Sequence, residues 1–282
     1  MSQLSHHDDN NEDYPLVIKT ENANTVLQLL RAINFSEMAT VIGSPEGLRV
    51  VVEEGKCIQA SAFLQSQMFQ EYHSQDDVVT FKINLNVLVE CLNIFGGSSL
   101  PGVAPSLKMC YGGYGSPLSL VLEEASVLTD CNIRTQEADD TLEFNFCNTS
   151  VVNKIVMRSE CLRDIFSEFD YNCCGVPVLE ILTSPDPPYF RLSTISNMST
   201  SDTDIPKDSD MIETFSCTKT MRQRYKLALL RPSIKPLTIA QKVLLRTDER
   251  GILCLQFMVK MEDNHICFVE FFCCPEEEEE IE

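Results

Sequence analysis

One pattern runs through this chain twice. Between residues 14 and 135, a strand-like run leads to a helix, a series of strands, a second helix and three more strands. Between 150 and 275 the same order returns with different residues. A repeat of element order at half the chain length constrains the molecule to two similar α+β domains. The local signals are specific. Asn22 or Asn24 can cap a helix whose Val26, Leu29, Leu30 and Ile33 fall at i, i+3, i+4 and i+7. Leu85, Leu88, Leu92 and Phe95 predict a second helix over 85–95, stopped by Gly96-Gly97. Ser44-Pro45-Glu46-Gly47 turns a hairpin over 38–57, and strands are expected at 106–111, 117–123 and 126–135.

In the second half, a strand at 150–157 precedes a helix at 160–170 and strands at 176–183, 189–195 and 211–217. A basic strand over 219–230 follows. It has Met221, Tyr225, Leu227 and Leu229 on one face and Arg222, Arg224 and Lys226 on the other. A proline-interrupted helix over 231–240 and strands at 243–247, 252–261 and 266–274 complete the series. The expected boundaries are an acidic arm at 1–13, domains at 14–135 and 150–275, a connection at 136–149 and an acidic tail at 276–282.

Composition narrows the function. Hydrophobic residues make up 44% of the 282, enough for packed cores. No apolar run reaches the roughly 20 residues that span a bilayer. The start lacks the basic and apolar regions of a secretory signal, so an intracellular, soluble chain is expected. In a reducing compartment the 13 cysteines read as small buried side chains. None are spaced C-x-x-C, and the 4 histidines do not join them at zinc-site spacing, so no metal or other cofactor is expected. That applies also to Cys273-Cys274, beside the glutamate tail.

The net charge of -20 argues against a general nucleic-acid coat protein. It is unevenly spread. Residues 1–140 hold 7 basic and 19 acidic residues, and residues 141–282 hold 15 and 23. Between 219 and 250 stand nine basic residues against Asp248 and Glu249, a block that reads first as the solvated face of strands.

Several stretches carry a resemblance: QASAFLQ, FQEY, LKMCYGGYGSPL, YFRLST, PKDSD and ICFVEFFCCP, spread from residue 59 to 275. INLNVLVECL at 83–92 and the aromatic pair, two small residues, proline and acidic run at the end are similar to proliferating cell nuclear antigen. Together they resemble the Rad-one subunits of the nine-one-one checkpoint clamp, a family of eukaryotic sliding DNA clamps. The resemblance implies a DNA-clamp fold with outer antiparallel sheets and inner helices. It implies one third of a pseudo-six-fold ring, completed by Rad-nine and Hus-one subunits. A clamp loader would place that ring on DNA at damage sites, in the nucleus. The ring would then recruit repair and checkpoint proteins without being an enzyme.

Positions follow from the same resemblance. Helices line the hole in such clamps, which nominates Arg31, Lys154, Arg163, Arg231 and Lys235 to face DNA, with Arg222, Arg224 and Lys226 as weaker candidates on an outer sheet. The first half departs from the replicative clamp: Leu27-Gln28, Glu90 and Asn93 stand where lysines are expected. Edge strands over 127–135 and 199–206 would close the ring, through Val127, Cys131, Ile133, Thr203 and Ile205. Partner peptides would dock in a groove lined by Val52, Cys57, Leu142, Phe144 and Phe272, with Phe63 and Met258 beside it. Two rivals stay open. One is a metal-dependent 3′–5′ exonuclease using Asp139, Asp140 and Glu143; the other is a free-standing acidic DNA mimic.

Overall fold

A computed structural model describes residues 14–75, 78–95, 104–146, 151–171, 176–261 and 264–276. The arm at 1–13, Gly96-Gly97, the end of the connection at 147–149 and the tail beyond Glu276 lie outside them. The chain forms two compact units. The first comprises residues 1–53, 61–141 and 261–267; the second comprises 54–60, 142–260 and 268–282.

In the first unit, β1 (Leu16–Thr20) leads to α1 (Ala23–Ile33). The Asn22 side chain caps α1 by accepting the Asn24 N–H at 3.0 Å, supplying one partner for the helix's orphan donors. Val26, Leu27, Leu29, Leu30 and Ile33 are buried, and Arg31 is exposed. Strands β2 (Met38–Ser44), β3 (Gly47–Glu54), β4 (Ile58–Gln65), β5 (Glu71–Ser74) and β6 (Val79–Asn84) follow. Then come α2 (Leu85–Leu92), β7 (Ser106–Tyr111), β8 (Leu118–Glu124), β9 (Val127–Ile133) and β10 (Thr135–Gln136). The Asn84 side chain caps α2 through the Val87 N–H at 3.1 Å. Helix α2 ends at Leu92, leaving Phe95 in the turn beyond it. One sheet runs β5-β1-β7-β8-β9, and a second series runs β10-β6-β2-β3-β4. Helices α1 and α2 pack on each other.

The second unit repeats the order: β11 (Val151–Arg158), α3 (Ser159–Ser167), β12 (Val178–Thr183), β13 (Phe190–Ile195), β14 (Thr200–Ile205), β15 (Ile212–Cys217) and β16 (Met221–Lys226). Helix α4 (Leu227–Leu230), a 3-10 turn over Arg231–Ser233, α5 (Ile234–Ile239), β17 (Lys242–Asp248), β18 (Leu253–Lys260) and β19 (Ile266–Cys273) complete it. The order β5-β1-β7-β8-β9 has its counterpart in β15-β11-β17-β18-β19, and β6-β2-β3-β4 in β16-β12-β13-β14. The strand expected over 219–230 is shorter. It stops at Lys226, and Leu227 and Leu230, three apart, are buried on one side of a helical turn.

Candidate functional site

The connection enters the second unit as residues 142–146 and is held there by two side chains. Gln59 Nε2 donates to the Leu142 carbonyl at 2.8 Å. Arg250 Nη2 donates to the carbonyls of Phe144 at 2.6 Å and Asn145 at 3.3 Å. Arg250 is itself fixed by Asp248, which accepts its Nε at 2.8 Å and its backbone N–H at 3.0 Å. Asp248 is 1% exposed and also accepts the Ile252 N–H at 2.9 Å, so its buried charge is surrounded by donors. Tyr225 ties the same turn through a bond from its hydroxyl to the Gly251 carbonyl at 2.7 Å. Gly251 has φ +81, and an added Cβ would lie 2.6 Å from the Gln223 side chain, so only glycine fits without adjustment.

Pinned this way, the connection lays two rings against Phe272 of β19. Phe144 stacks on it with centroids 5.3 Å apart and planes at 14°, and Phe146 leans on it at 5.7 Å and 53°. The Arg246 guanidinium lies 5.3 Å from the Phe146 centroid, within cation–π range. Cys57 meets the end of β19, where its carbonyl accepts the Cys274 N–H at 2.8 Å. The result is a half-buried aromatic surface with polar clips at its rim, suited to apolar anchors of a peptide rather than to bond-making chemistry.

Of the seven groove candidates, Cys57, Leu142, Phe144, Met258 and Phe272 lie in this unit, all partly exposed. Val52 (0% exposed, on β3) and Phe63 (half-buried, on β4) belong to the first unit. Gln59, Phe146, Arg246 and Arg250 were not among the sequence candidates. The signal for Phe146 was its place in the apolar end of the connection, whereas Arg250 read as one more surface charge in a turn.

Burial, then the neighbouring thiols Cys274 and Cys57, hold Cys273 far above the ordinary cysteine value. Burial raises Cys274 as well, and among the described residues no three His, Cys, Asp or Glu side chains are grouped to hold a metal ion.

The basic candidates take different positions. Arg31, on α1, donates to Asn93 Oδ1 at 2.7 Å. Arg163, on α3, pairs with Asp164 at 3.0 Å. Arg231 opens the 3-10 turn with its guanidinium 5.8 Å from the Tyr171 centroid. Lys235 lies on α5, where partial burial draws its ammonium below the usual lysine value. Helices α3 and α5 pack together, bringing the elements of the last three into one layer. Lys154 differs: it is exposed on strand β11, opposite Arg246, so a helix-lining argument does not extend to it. Arg222 and Arg224 are both bound to Glu180.

The edge candidates sit on β9 and β14. In the strand orders β9 adjoins only β8, and β14 adjoins only β13. Val127 is exposed, Cys131 and Thr203 are half-buried, and Ile133 and Ile205 are buried. Asp139 is paired with Lys82 Nζ at 2.6 Å, while Asp140 and Glu143 are exposed.

Comparison with known proteins adds to this geometry. The profile of a family described as "Repair protein Rad1/Rec1/Rad17" matches residues 15–259. Human "Cell cycle checkpoint protein RAD1" is 51% identical over 270 residues, covering 96% of this chain and 95% of the relative. "DNA repair exonuclease REC1" of Mycosarcoma maydis is 23% identical over 330 residues, covering 78% and 71%. Among solved structures, a PCNA2-PCNA3 complex from Sulfolobus tokodaii has the same fold. The TM-score is 0.72 at 14% identity, covering 92% of this chain and 98% of that one.

Proposed function

The chain belongs to the Rad1/Rec1/Rad17 repair-protein family, and from that premise we propose that it is a non-enzymatic subunit of a checkpoint sliding clamp. It forms one third of a ring with Rad-nine and Hus-one subunits, is loaded around duplex DNA in the nucleus and recruits checkpoint and repair factors. The observation that carries this reading is the near-full-length likeness to a cell cycle checkpoint protein, joined to a clamp fold.

Physical features support the parts. A duplicated domain with an open sheet edge at β9 and another at β14 suits closure by strand pairing with unlike neighbours. The proposed domains are 14–135 and 150–275, joined by 136–149. An encircling ring holds DNA by topology, so this chain's net charge of -20 is tolerable. Phosphate repulsion is screened within about 8–10 Å at physiological salt, and a few inward basic side chains act at shorter range. Arg163, Arg231 and Lys235 supply these, with Arg31 as a smaller contribution. The Phe144–Phe146–Phe272 surface takes partner peptides.

The REC1 likeness favours a second reading, an exonuclease. That chemistry needs carboxylates placed for metal ions. Here Asp139 is engaged by Lys82. The double variant Asp140→Ala, Glu143→Ala in the purified complex separates the readings: loss of a nuclease activity with intact assembly supports the enzyme.

The main test is native mass measurement of the chain coexpressed with its two partners. A 1:1:1 complex that a clamp loader transfers onto circular DNA is expected. A monomer that joins neither partner, and competes with DNA for basic proteins, returns the acidic-mimic reading and sinks this one.

A further inference from the structure

Three cysteines meet at one end of the aromatic surface, and the clamp reading uses none of them. Cys57 and Cys274 are half-buried and Cys273 is buried. All three belong to the second unit. Cys57 stands just before β4 and Cys274 just after β19, so the chain enters one strand where it leaves the other, as antiparallel neighbours do. There the Cys274 N–H donates to the Cys57 carbonyl at 2.8 Å. Residues bonded in this way stand opposite each other, with Cα atoms about 5.5 Å apart. That separation lies inside the roughly 4.4–6.8 Å that a disulfide spans.

Burial alternates along this stretch: Phe272 and Cys274 are half-buried, and Cys273 between them is buried. A period of two therefore puts Cys274 on the face of Phe272 and turns Cys273 to the core. The Cys273 thiol donates to the Cys274 carbonyl at 3.5 Å. The Cys57 thiol makes a longer contact, 3.9 Å to the Glu54 carbonyl. Cys57 and Cys274 are also near enough to feel each other's charge. Burial raises the Cys274 thiol, a charged Cys57 raises it further, and Arg250 partly offsets both. Two thiols thus face each other across a backbone hydrogen bond, beside the ring on which Phe144 stacks.

We propose that Cys57 and Cys274 are a thiol-oxidation site, forming a reversible disulfide that staples the end of β19 to the turn before β4. The oxidant is a small-molecule disulfide such as glutathione disulfide. The Cys57 thiolate attacks one of its sulfurs, giving a mixed disulfide and releasing one glutathione thiol. The Cys274 thiolate then attacks the Cys57 sulfur, the protein disulfide forms, and the second glutathione leaves as thiol. Opposite residues that share a backbone hydrogen bond hold their Cβ atoms about 5.5 Å apart, wider than the mean of about 3.8 Å in a disulfide. Closing the bond draws the two segments together, and the resulting strain keeps it reducible. It stays open in a reducing compartment and closes as glutathione disulfide accumulates. The pull acts two residues from Phe272 and on the same face, so oxidation resets one wall of the aromatic surface. Only its consequence for partner peptides rests on the reading of that surface as a peptide groove.

The full chain, incubated in glutathione buffers of rising disulfide fraction and then mapped by peptide mass after free thiols are blocked, tests this. The expected product is a cross-link between the peptides carrying Cys57 and Cys274, with the loss of two free thiols per chain. It should grow with the disulfide fraction, vanish on adding dithiothreitol, and be absent from Cys57→Ser and Cys274→Ser chains. A cross-link that persists in Cys274→Ser runs through Cys273 and overturns the proposal. Stable glutathione adducts on Cys57 or Cys274 without a cross-link overturn it as well, because the two sulfurs then do not meet. A cross-link that disappears on dilution joins two chains and counts equally against it. Hydrogen–deuterium exchange over 142–146 should change between reduced and cross-linked chains, since Phe144 and Phe146 rest on the wall that moves. Identical exchange in the two forms overturns the effect on the surface. Because the mapping needs no peptide, a cross-link that forms while the surface binds no partner faults the groove reading alone.

Discussion

Leu16 and Asn153 occupy the same place in the two units. Leu16 stands on β1 opposite Tyr111 of β7 and Ser74 of β5; Asn153 stands on β11 opposite Thr247 of β17 and Cys217 of β15. Each is 2% exposed. The first unit fills the position with hydrocarbon. The second fills it with an amide whose Nδ2 donates to the hydroxyls of Thr183 (2.9 Å) and Thr247 and whose Oδ1 accepts the Thr247 N–H at 3.2 Å. The same fold tolerates both because what it requires there is satisfied burial, by packing or by hydrogen bonds. The surface follows the same lesson: α2 presents no basic residue, whereas the 3-10 turn and α5 present Arg231 and Lys235.

That contrast can be broken at its strongest point first. Leu16→Ala should lose about 2–5 kcal/mol in urea unfolding, the range for a truncated core leucine. Asn153→Leu should lose about 1–3 kcal/mol, because the Thr247 N–H loses its amide acceptor and the Thr183 and Thr247 hydroxyls lose the amide donor. A neutral or stabilising Asn153→Leu would show that the polar network is not needed. On the surface, removing Arg163, Arg231 and Lys235 together from the assembled ring should lower the salt slope of DNA binding by up to about three. Arg31→Ala should lower it by at most about one. Equal effects would erase the proposed asymmetry between the halves.

The smallest effect concerns pH. The hydrogen bond from Arg191 holds the exposed Asp204 carboxyl below its ordinary value of 3.8. A lowered folded value stabilises above the unfolded value and stops doing so as pH falls through the folded one. The stability difference between the parent and Asp204→Asn should therefore be flat near neutral pH and shrink only below about pH 4.

Much of this architecture was legible because its signals are local. Asn22 and Asn84 cap helices whose apolar spacing is helical, and Ser44 to Gly47 turn a hairpin. Arginine-rich alternation misled at Leu227, where a period of two happens to continue into residues that tertiary packing winds into a helix. Strand β14, five polar residues followed by Ile205, has no hydrophobic alternation, and only the resemblance pointed to it. Arg250 was illegible for another reason. Its partner carbonyl belongs to Phe144, 106 residues away, and no local pattern encodes that meeting.

The two open edges have a consequence for supply. Asp130 faces outward on β9, and Asp202 and Asp204 face outward on β14. Arg191 already engages Asp202 and Asp204, yet three carboxylates against that one cation leave the two edges net acidic, and like charges across a strand pair are destabilising. Overproduction of this chain should thus yield stranded single subunits rather than filaments of itself. On the clamp reading proposed above, the scarcer of the two partner subunits would then ration how many complete rings a cell can keep.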